Sequence, residues 1–311
     1  MMMVCGEALL DVFAAGETRT GLTLDANVGG SPLNVAVGLA RLGQPVGFFS
    51  AISTGFAGER LMRTLVAEGV DTRAIARLAA PTTLSLIGLD AQGVPSYAFY
   101  GEGCADRLLQ AADMDRVPHG LTVVNVGSYA TVVEPTASAL RALVERERGR
   151  ALIAYDPNIR LNVEPDLQRW RDQLAWMQPR TDLLKVSEED LELLQPGALL
   201  DDFATRALAQ GVRAVVVTRG AQGAVGWTAQ TRVVTPPVPV TVVDTVGAGD
   251  TFQAALLTWL AENGALSAAA LAALPQQALA DALAFAAQAA AITCSRRGAD
   301  MPRRAELGTS A

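Results

Sequence analysis

Two kinds of segment alternate along most of the chain: continuously apolar runs, and stretches in which apolar residues recur every three to four positions. Buried strands are predicted where the chain is continuously apolar, at 123–127, 151–155, 182–186 and 214–218. Helices are predicted between these runs, at 136–148, 166–177 and 200–210. This alternation is typical of βαβ units with helices on both faces of a mainly parallel sheet. The pattern predicts a three-layer α/β/α fold with ligand sites at the carboxyl ends of the strands.

Two segments interrupt this alternation. Residues 12–28 have no helical pattern, and residues 83–100 alternate as in a β-hairpin that turns at Asp90–Gly93. We expect these segments, at about 12–28 and 83–103, to form a small sheet apart from the main one. Such a sheet can close over a ligand as a lid, pair with a second copy of the chain through an exposed edge, or do both. No repeat or linker divides the sequence, so we expect one domain over residues 1–311.

The composition excludes several classes of protein. Of the 311 residues, 50% are hydrophobic and 18% are charged, as in a folded globular protein. The net charge of −7 and the lack of a basic run argue against a nucleic-acid binder. Three scattered cysteines without a CxxC pair argue against a disulfide framework or a zinc site and favour the reducing cytoplasm. The apolar stretches at 1–13 and 265–293 contain acidic residues, so we predict neither a signal peptide nor a membrane span.

The stretch DTVGAGDTF, residues 244–252, carries the first candidate chemistry. A strand is predicted at 240–244, and a helix follows whose buried face is formed by Phe252, Ala255, Leu256, Trp259 and Leu260. The loop of Gly247, Ala248 and Gly249 therefore lies at a helix N-terminus, where unpaired N–H groups favour an anion such as phosphate. Asp250 could cap this helix. Alternatively, it could be a general base that takes the proton of a hydroxyl during phosphoryl transfer.

A second candidate site lies nearer the start of the chain. Gly29 and Gly30 precede a predicted helix that ends at Gly43, and Asn34 lies near its first turn. The Asn34 amide both donates and accepts hydrogen bonds, which suits a sugar hydroxyl, although it could simply cap the helix. Asp11 follows the apolar run at 4–10, and its carboxylate could accept hydrogen bonds from two neighbouring hydroxyls or be an ordinary turn residue.

Both stretches resemble the two signatures of the PfkB, or ribokinase-like, family of sugar kinases. Further matching segments are GEALLD (6–11), FAGERLMRTLVAEGVDT (56–72), DPNIR (156–160), SEEDL (187–191) and VTRGAQGA (217–224). The resemblance covers almost the whole chain. It implies a ribokinase-like fold with a small β-sheet lid, and an ATP-dependent kinase that acts on a small sugar.

The resemblance also implies roles for individual residues. The residue matching the catalytic base is Asp250, and the loop Gly247, Ala248 and Gly249 matches the anion hole. The residues matching the contacts to sugar hydroxyls are Asp11, Gly29, Gly30 and Asn34. Arg160 resembles an arginine near the substrate and the phosphate, with a surface salt bridge as the alternative.

The nucleotide and ions have implied positions as well. Thr218, Gly220 and Gly223 match the contacts to the phosphates and ribose of ATP, and adenine is expected against the helix at 287–291, where Ala287 could instead be ordinary helix packing. Mg²⁺ is expected with ATP because it neutralises phosphate oxygens. The residues implied for a monovalent cation such as K⁺ are Asp244, Val246, Thr293 and Gly298.

The segment SEED departs from the family pattern. Many relatives carry Asn-x-x-Glu where this chain has Ser187 and Asp190, which are polar and acidic but shorter. The metal assignment at this segment is therefore open. Lys185, the only lysine in the sequence, precedes it and could reach a phosphate of the nucleotide or be a solvated residue at a strand end.

The segment 95–109 resembles the lid of bacterial fructokinases, in which Phe99 could pack on the face of a sugar or simply form the apolar side of a β-lid. Gly101 and Glu102 stand where fructokinases usually carry an arginine, which weakens this similarity. The leading hypothesis is ATP-dependent phosphorylation of D-fructose at its primary hydroxyl. Ketodeoxygluconate kinase and nucleoside kinase are the alternatives within the family, and a catalytically silent sugar or nucleotide sensor is the alternative from another class. A Rossmann dehydrogenase is disfavoured because no G-x-G-x-x-G follows an early strand.

Overall fold

The computed structural model describes residues 1–89 and 95–308. Within these residues the strands are β1 (Met2–Cys5), β2 (Leu9–Glu17), β3 (Leu22–Gly29), β4 (Val46–Ser53), β5 (Ile75–Leu78), β6 (Leu84–Leu89), β7 (Pro95–Tyr100), β8 (Val123–Gly127), β9 (Leu152–Asp156), β10 (Leu183–Ser187), β11 (Ala214–Thr218), β12 (Ala224–Trp227) and β13 (Arg232–Thr235). The helices are α1 (Ser31–Arg41), α2 (Phe56–Ala67), α3 (Thr136–Glu147), α4 (Leu167–Met177), α5 (Glu188–Leu194), α6 (Leu200–Ala209), α7 (Ala248–Glu262), α8 (Ala268–Ala272) and α9 (Gln276–Cys294).

The large sheet has nine strands in the order β13-β12-β11-β10-β9-β8-β1-β4-β5. All neighbours from β11 to β5 are parallel, and β12 and β13 join antiparallel at one edge. The predicted strands at 123–127 and 214–218 coincide with β8 and β11, and the other two are displaced by one residue. Continuous apolar runs predict these strands well because both faces of a parallel sheet are buried.

Two apolar cores cover the two faces of this sheet. Phe48 and Phe49 are neighbours in β4, and because successive side chains of a strand point to opposite faces, they enter different cores. One core packs the sheet against α1, α2, α7, α8 and α9, and the other packs it against α3, α4, α5 and α6. The prediction of a three-layer α/β/α fold is therefore confirmed.

The small sheet has four strands in the order β3-β2-β6-β7. The predicted hairpin is β6 and β7, while its turn at Asp90–Gly93 lies outside the described residues. In the register of this sheet, Asp11 pairs with Ser85, and Ser85 pairs with Phe99. Directly paired residues share a face of a sheet, so these three side chains form one row. The earlier placement of Asp11 after a strand is wrong, since it lies inside β2.

The predicted strand at 240–244 is also wrong. No described strand pairs with this segment, and Val240, Val242 and Val243 are exposed. The amide of Val243 instead donates to the carbonyl of Cys294 at the end of α9 (2.8 Å). Prolines at 236, 237 and 239 end the preceding strand β13 at Thr235, because a proline has no N–H group for a strand ladder.

Helix α7 is buried more completely than its sequence pattern predicts. Its five predicted core positions are buried, but so is every other residue from Asp250 to Leu260, because α1 and α9 pack on either side. Helix α9 is long and apolar enough to cross a membrane by length and composition alone. It packs against α7 and β13, as a core helix of a soluble protein does, so this is weak evidence for a membrane span.

Candidate active site

Asp250 lies in the first turn of α7, and its side chain is nearly buried (8% exposed). Gly247, the residue before the helix, has a φ of +77°, which favours glycine. Among the described residues, no acceptor binds the amide N–H of Gly249 or of Asp250. Two free amides at a helix N-terminus, beside a carboxylate, are what an anion-binding site with a general base requires.

The carboxylate of Asp250 is fixed by the first turn of α1. Its Oδ1 accepts a hydrogen bond from Ser31 Oγ (2.7 Å), and its Oδ2 accepts one from Asn34 Nδ2 (2.8 Å). Asp250 therefore binds side chains of another helix, which is evidence against the simple capping interpretation. Asn34 does not cap α1 either, because it lies inside the helix. Sequence reasoning missed Ser31, whose only signal was its place after the double glycine.

The two glycines before α1 serve different purposes. A Cβ on Gly29 would lie 2.2 Å from Asp11 Oδ2, so the glycine leaves the space that this carboxylate occupies. Gly30 has a φ of +104°, and a Cβ on it would lie 2.9 Å from the carbonyl oxygen of Glu7. The double glycine thus lets β2 approach the start of α1 and brings Asp11 to the site.

Three charges meet near Asp11. Burial raises the pKa of Asp11 to about 6, while the Ser85 hydroxyl and the Arg160 charge lower it and the Asp250 charge raises it. Arg160 is exposed and forms no ion pair within residues 1–89 and 95–308, so the salt-bridge alternative is not supported. Glu7 lies deeper (1% exposed), and burial raises its pKa to about 8 against the opposing effects of Ser128 and Arg160. Arg160 therefore acts electrostatically on both Asp11 and Glu7.

Lys185 forms a buried ion pair beside the glycine loop. Its Nζ donates to Asp156 Oδ2 (2.6 Å), and the two residues, which lie in the neighbouring strands β10 and β9, are 4% and 6% exposed. Burial raises the pKa of Asp156, and the Lys185 charge opposes that shift. A Cβ on Gly249 would lie 3.2 Å from Lys185 Nζ, which places the ammonium against the glycine loop. Lys185 is thus a buried neighbour of the anion site, and the alternative of a solvated strand-end residue is wrong.

The segment after Lys185 has structural hydrogen bonds of its own. Ser187 caps α5, because its Oγ accepts the amide N–H of Asp190 (3.0 Å). Asp190 Oδ1 accepts the amide N–H of Ile159 (3.1 Å). Asp156 Oδ1 is buried and has no partner in the described part of the chain. Mg²⁺ in nucleotide enzymes needs only one or two carboxylates besides phosphate, and this free oxygen fits one such ligand better than the engaged Asp190.

The predicted nucleotide contacts lie at and after the carboxyl end of β11, the neighbour of β10 in the large sheet. Thr218 ends β11, and Gly220 and Gly223 follow with φ values of +51° and +82°. A Cβ on Gly223 would lie 2.1 Å from the carbonyl oxygen of Thr235, so this glycine is required by the close approach of β13. On α9, Ala289 is fully buried in the core, whereas Ala287 is partly exposed and available to a ligand.

The four residues predicted to hold a monovalent cation are only partly brought together. Asp244 Oδ1 accepts the amide N–H of Val246 (3.1 Å), and Oδ2 accepts that of Gly298 (2.8 Å), so the carboxylate joins two loops. The Thr293 hydroxyl is buried and lies 2.8 Å from that of Thr251. The backbone carbonyl of Thr293 already accepts the amide N–H of Arg296 (3.0 Å), so Thr293 would have only the second lone pair of that oxygen for an ion.

The sequence matches the pfkB family carbohydrate kinase description over residues 1–305. The chain belongs to this family. Among curated relatives, a fructokinase of Rhizobium leguminosarum bv. trifolii is 36% identical over 279 residues, which cover 90% of this chain and 85% of the relative. The chain is therefore a phosphotransferase that acts on a sugar hydroxyl, and the predicted family is confirmed.

Solved structures of this pfkB kinase's relatives agree over nearly the whole chain. A fructokinase of Xylella fastidiosa with bound ATP superposes with a TM-score of 0.88 at 25% identity and covers 99% of this chain and 97% of its own. A fructokinase of Vibrio cholerae O395 with fructose, ADP and calcium gives 0.82 at 26% identity, with 98% and 97% covered. A double mutant of the Vibrio enzyme was solved with fructose, ADP and potassium.

Proposed function

We propose that this pfkB kinase transfers the γ-phosphate of ATP to the primary hydroxyl of a ketohexose, converting D-fructose to fructose 6-phosphate. The observation that carries the proposal is Asp250, a nearly buried carboxylate held beside two free amides at the start of α7. The fructokinases among its relatives support fructose as the sugar and ATP as the donor.

The geometry assigns each group a part in the transfer. The sugar oxygen attacks the γ-phosphorus, Asp250 accepts the hydroxyl proton, and ADP leaves with the electrons of the broken bond. Ser31 and Asn34 hold the Asp250 carboxylate in place through the whole step. The amides of Gly249 and Asp250 stabilise the charge on the transferred group, and the nearby Lys185 ammonium adds to that field.

The remaining predicted contacts fit around this centre. The proposed nucleotide side lies at or beyond the ends of β10 and β11 and along α9. It would be lined by Ser187, Thr218, Gly220 and Gly223, and by Ala287 of α9. Mg²⁺ would use Asp156 Oδ1 and would supply charge neutralisation on the phosphate oxygens. A monovalent ion would be held by the loops that Asp244 joins, and the potassium-bound relative supports such a site.

The sugar would lie between the large sheet and the small sheet. Asp11, Asn34 and Arg160 surround the proposed sugar position together with the backbone at Gly29 and Gly30. Phe99 lies on the same face of the small sheet as Asp11, at the other end of the row Asp11, Ser85 and Phe99. The small sheet would then act as a lid that excludes water and limits wasteful hydrolysis of ATP.

The test is ADP release with Mg-ATP and a panel of fructose, tagatose, ribose, ketodeoxygluconate and adenosine. We expect turnover on fructose, with the phosphate found on its primary hydroxyl by NMR. Faster turnover on another compound of the panel would retain the kinase mechanism and reject fructose as the substrate. If no compound is phosphorylated although ATP raises the melting temperature, the sensor alternative is favoured over the kinase.

We also propose that the small sheet pairs two copies of the chain in the cytoplasm. Strand β3 is an edge of that sheet, and it exposes Leu22 and Leu24, which are 54% and 47% accessible. Exposed apolar edges favour pairing with another chain. Sedimentation should give a dimer for the wild type and a monomer for Leu24→Asp; a wild-type monomer at high concentration contradicts this assembly.

A further inference from the structure

Arg107 is held in an unusual way at the base of the small sheet. Its guanidinium carbon lies 5.0 Å from the ring centroid of Phe99 and 5.5 Å from that of Tyr129. The two rings meet edge to face with their centroids 5.5 Å apart. The flat guanidinium is thus fixed by two aromatic faces, which leaves its N–H groups to hydrogen-bond in its own plane.

Those N–H groups have no partner among the side chains and backbone groups that the structure describes, which exclude the side chains of residues 89–97. Arg107 donates no hydrogen bond and forms no ion pair there, and its Nε is buried without an acceptor. Asp106, the adjacent carboxylate, is already engaged, since its two oxygens accept the hydroxyls of Thr83 and Tyr129. The other N–H groups of the guanidinium are not fully buried, because Arg107 is partly exposed, and they are free to donate to a ligand that supplies acceptors.

The other stacked arginines of the molecule show the contrast. Arg180, Arg232 and Arg304 each lie over an aromatic ring, and each also pairs with a carboxylate. Their partners are Glu145, Asp201 and Glu262. Arg107 alone among these stacked arginines lacks such a partner within the described residues, which separates it from the structural use of this side chain.

The chain around Arg107 is adapted to its position. A Cβ on Gly101 would lie 2.8 Å from both Nε and Nη2 of Arg107, so the glycine leaves the space that the guanidinium fills. Phe99, on which Arg107 stacks, continues the row of Asp11 and Ser85 across the small sheet. Neighbouring strands lie about 4.8 Å apart, so Phe99 is about 10 Å across the sheet from Asp11, on the side away from β3.

We propose that Arg107 is a specificity-determining residue that donates hydrogen bonds to a sugar hydroxyl other than the one that is phosphorylated. This inference rests on the proposed kinase function, because it places the sugar on the face that carries Asp11 and Phe99. A hydroxyl oxygen supplies the acceptor that Arg107 lacks. Once the small sheet has closed over the site, sugars without a hydroxyl at that place would leave the guanidinium unpaired, which is how a hydrogen-bonding site rejects them.

The test compares Arg107→Gln with the wild type in KM for fructose, KM for ATP and kcat. Losing hydrogen bonds from a charged donor should raise the KM for fructose by about 10- to 100-fold. The KM for ATP should change by less than about twofold, because the proposed nucleotide site lies at the ends of β10 and β11 in the large sheet, away from Arg107 beside the small sheet. Arg180→Gln is the matched control, since it removes an arginine that stacks on Trp176 far along the chain, and it should leave both KM values unchanged.

A set of fructose analogues, each lacking one hydroxyl other than the primary one that accepts phosphate, identifies the contact. One analogue should be a poor substrate for the wild type and should lose no further efficiency in Arg107→Gln, because the contact is already absent. Equal losses on every analogue in both proteins, or an unchanged KM for fructose, would overturn the proposal. In either case, wild-type turnover on fructose would leave the proposed function intact.

Gly101→Ala provides a second route to the same answer. Its methyl group would meet the guanidinium and the Phe99 ring (2.5 Å to Cε1), so it should displace Arg107 while keeping the charge. We expect the same rise in the KM for fructose, with a lower melting temperature because the added methyl overpacks a buried position. A normal KM in this variant would contradict the proposal even if Arg107→Gln fails to fold.

Discussion

Two regions of the site hold their polar groups in different ways. In the sheet-edge region, which contains Lys185, Asp156 and Asp250, the side chains are nearly buried and each makes a hydrogen bond of 2.8 Å or less. In the small-sheet region, which contains Asp11, Phe99 and Arg107, the residues are only partly buried. They belong to or lie beside a sheet whose outer strand β3 is exposed along most of its length.

This difference suits the two regions to different tasks, phosphoryl transfer in the sheet-edge region and sugar recognition in the small-sheet region. Phosphoryl transfer needs reacting groups that are already in position, and buried hydrogen-bonded side chains provide that. A small sheet with few buried contacts can open and close at low free energy, as admission of a sugar requires. We therefore expect changes in the sheet-edge region to act on kcat, and changes in the small-sheet region to act on the KM for the sugar.

The largest expected effect is that of Asp250→Asn. An amide cannot accept the hydroxyl proton, so kcat should fall by about 10²- to 10⁴-fold, the range for a lost general base. ADP release on fructose measures it. Asp202→Asn is the control, because it removes an exposed acid from the first turn of α6 and should leave kcat unchanged. A fall of less than tenfold in Asp250→Asn would mean that the proton goes elsewhere.

Lys185→Met should affect stability as well as turnover. It leaves Asp156 buried without its cation, and breaking a buried pair costs about 3 to 5 kcal/mol of unfolding free energy. Urea denaturation measures this loss. Replacing both partners, Lys185→Met with Asp156→Leu, should recover most of the stability but not the turnover. Recovery of turnover in the double variant would show that the ammonium has no role at the anion site.

Asp11→Asn should act on sugar binding and on pH dependence. Burial raises the pKa of Asp11 to about 6 from 3.8, so the folded protein holds this proton more tightly than the unfolded chain. Stability is therefore lost as pH rises from about 4 to 6 and is level above that range. The variant should melt higher than the wild type at pH 7.5, with a smaller difference at pH 5, and its KM for fructose should rise about tenfold.

The control for that experiment is the pH dependence of the wild type itself. Its KM for fructose should increase as pH falls through about 6, because protonated Asp11 accepts hydrogen bonds poorly, and this dependence should be absent in Asp11→Asn. If Asp11→Asn and the wild type melt at the same temperature at pH 7.5, the assignment of Asp11 as a partly buried, ionised group is contradicted.

The smallest expected effect is that of Ser31→Ala. It removes one of two hydrogen bonds to Asp250, worth about 1 kcal/mol, so kcat should fall about threefold to tenfold with little change in either KM. Ser267→Ala removes only the N-cap of α8 and is the control. A larger effect on the KM for fructose than on kcat would place Ser31 in the sugar site instead.

Much of the fold was predictable because buried strands and helices leave a regular pattern of apolar residues in the sequence. Strands β8 and β11 are covered on both faces, so their apolar runs coincide with their bounds. Residues 240–244 are similarly rich in valine but have no described strand beside them, which only the tertiary structure shows. Helix α7 was predicted to bury one face, and only the packing of α1 and α9 reveals that it buries all of them.

The site was predictable only as far as local sequence carries it. The glycine loop and Asp250 are contiguous, so their meaning could be inferred together. The bond from Ser31 to Asp250 joins residues more than 200 positions apart, and the pair of Lys185 and Asp156 joins two strands. Such contacts depend on tertiary packing. Likewise, Gly101 appeared as a missing arginine, whereas the structure places Arg107 in the space that it leaves.

The most direct test of this division is the affinity of Asp250→Asn for fructose, measured by calorimetry with a non-hydrolysable ATP analogue present. If Asp250 acts on the proton, and the small-sheet region binds the sugar, the dissociation constant should stay within about threefold of the wild type while kcat collapses. A loss of fructose affinity as large as the loss in kcat would contradict the account, because it would make Asp250 a sugar-binding residue.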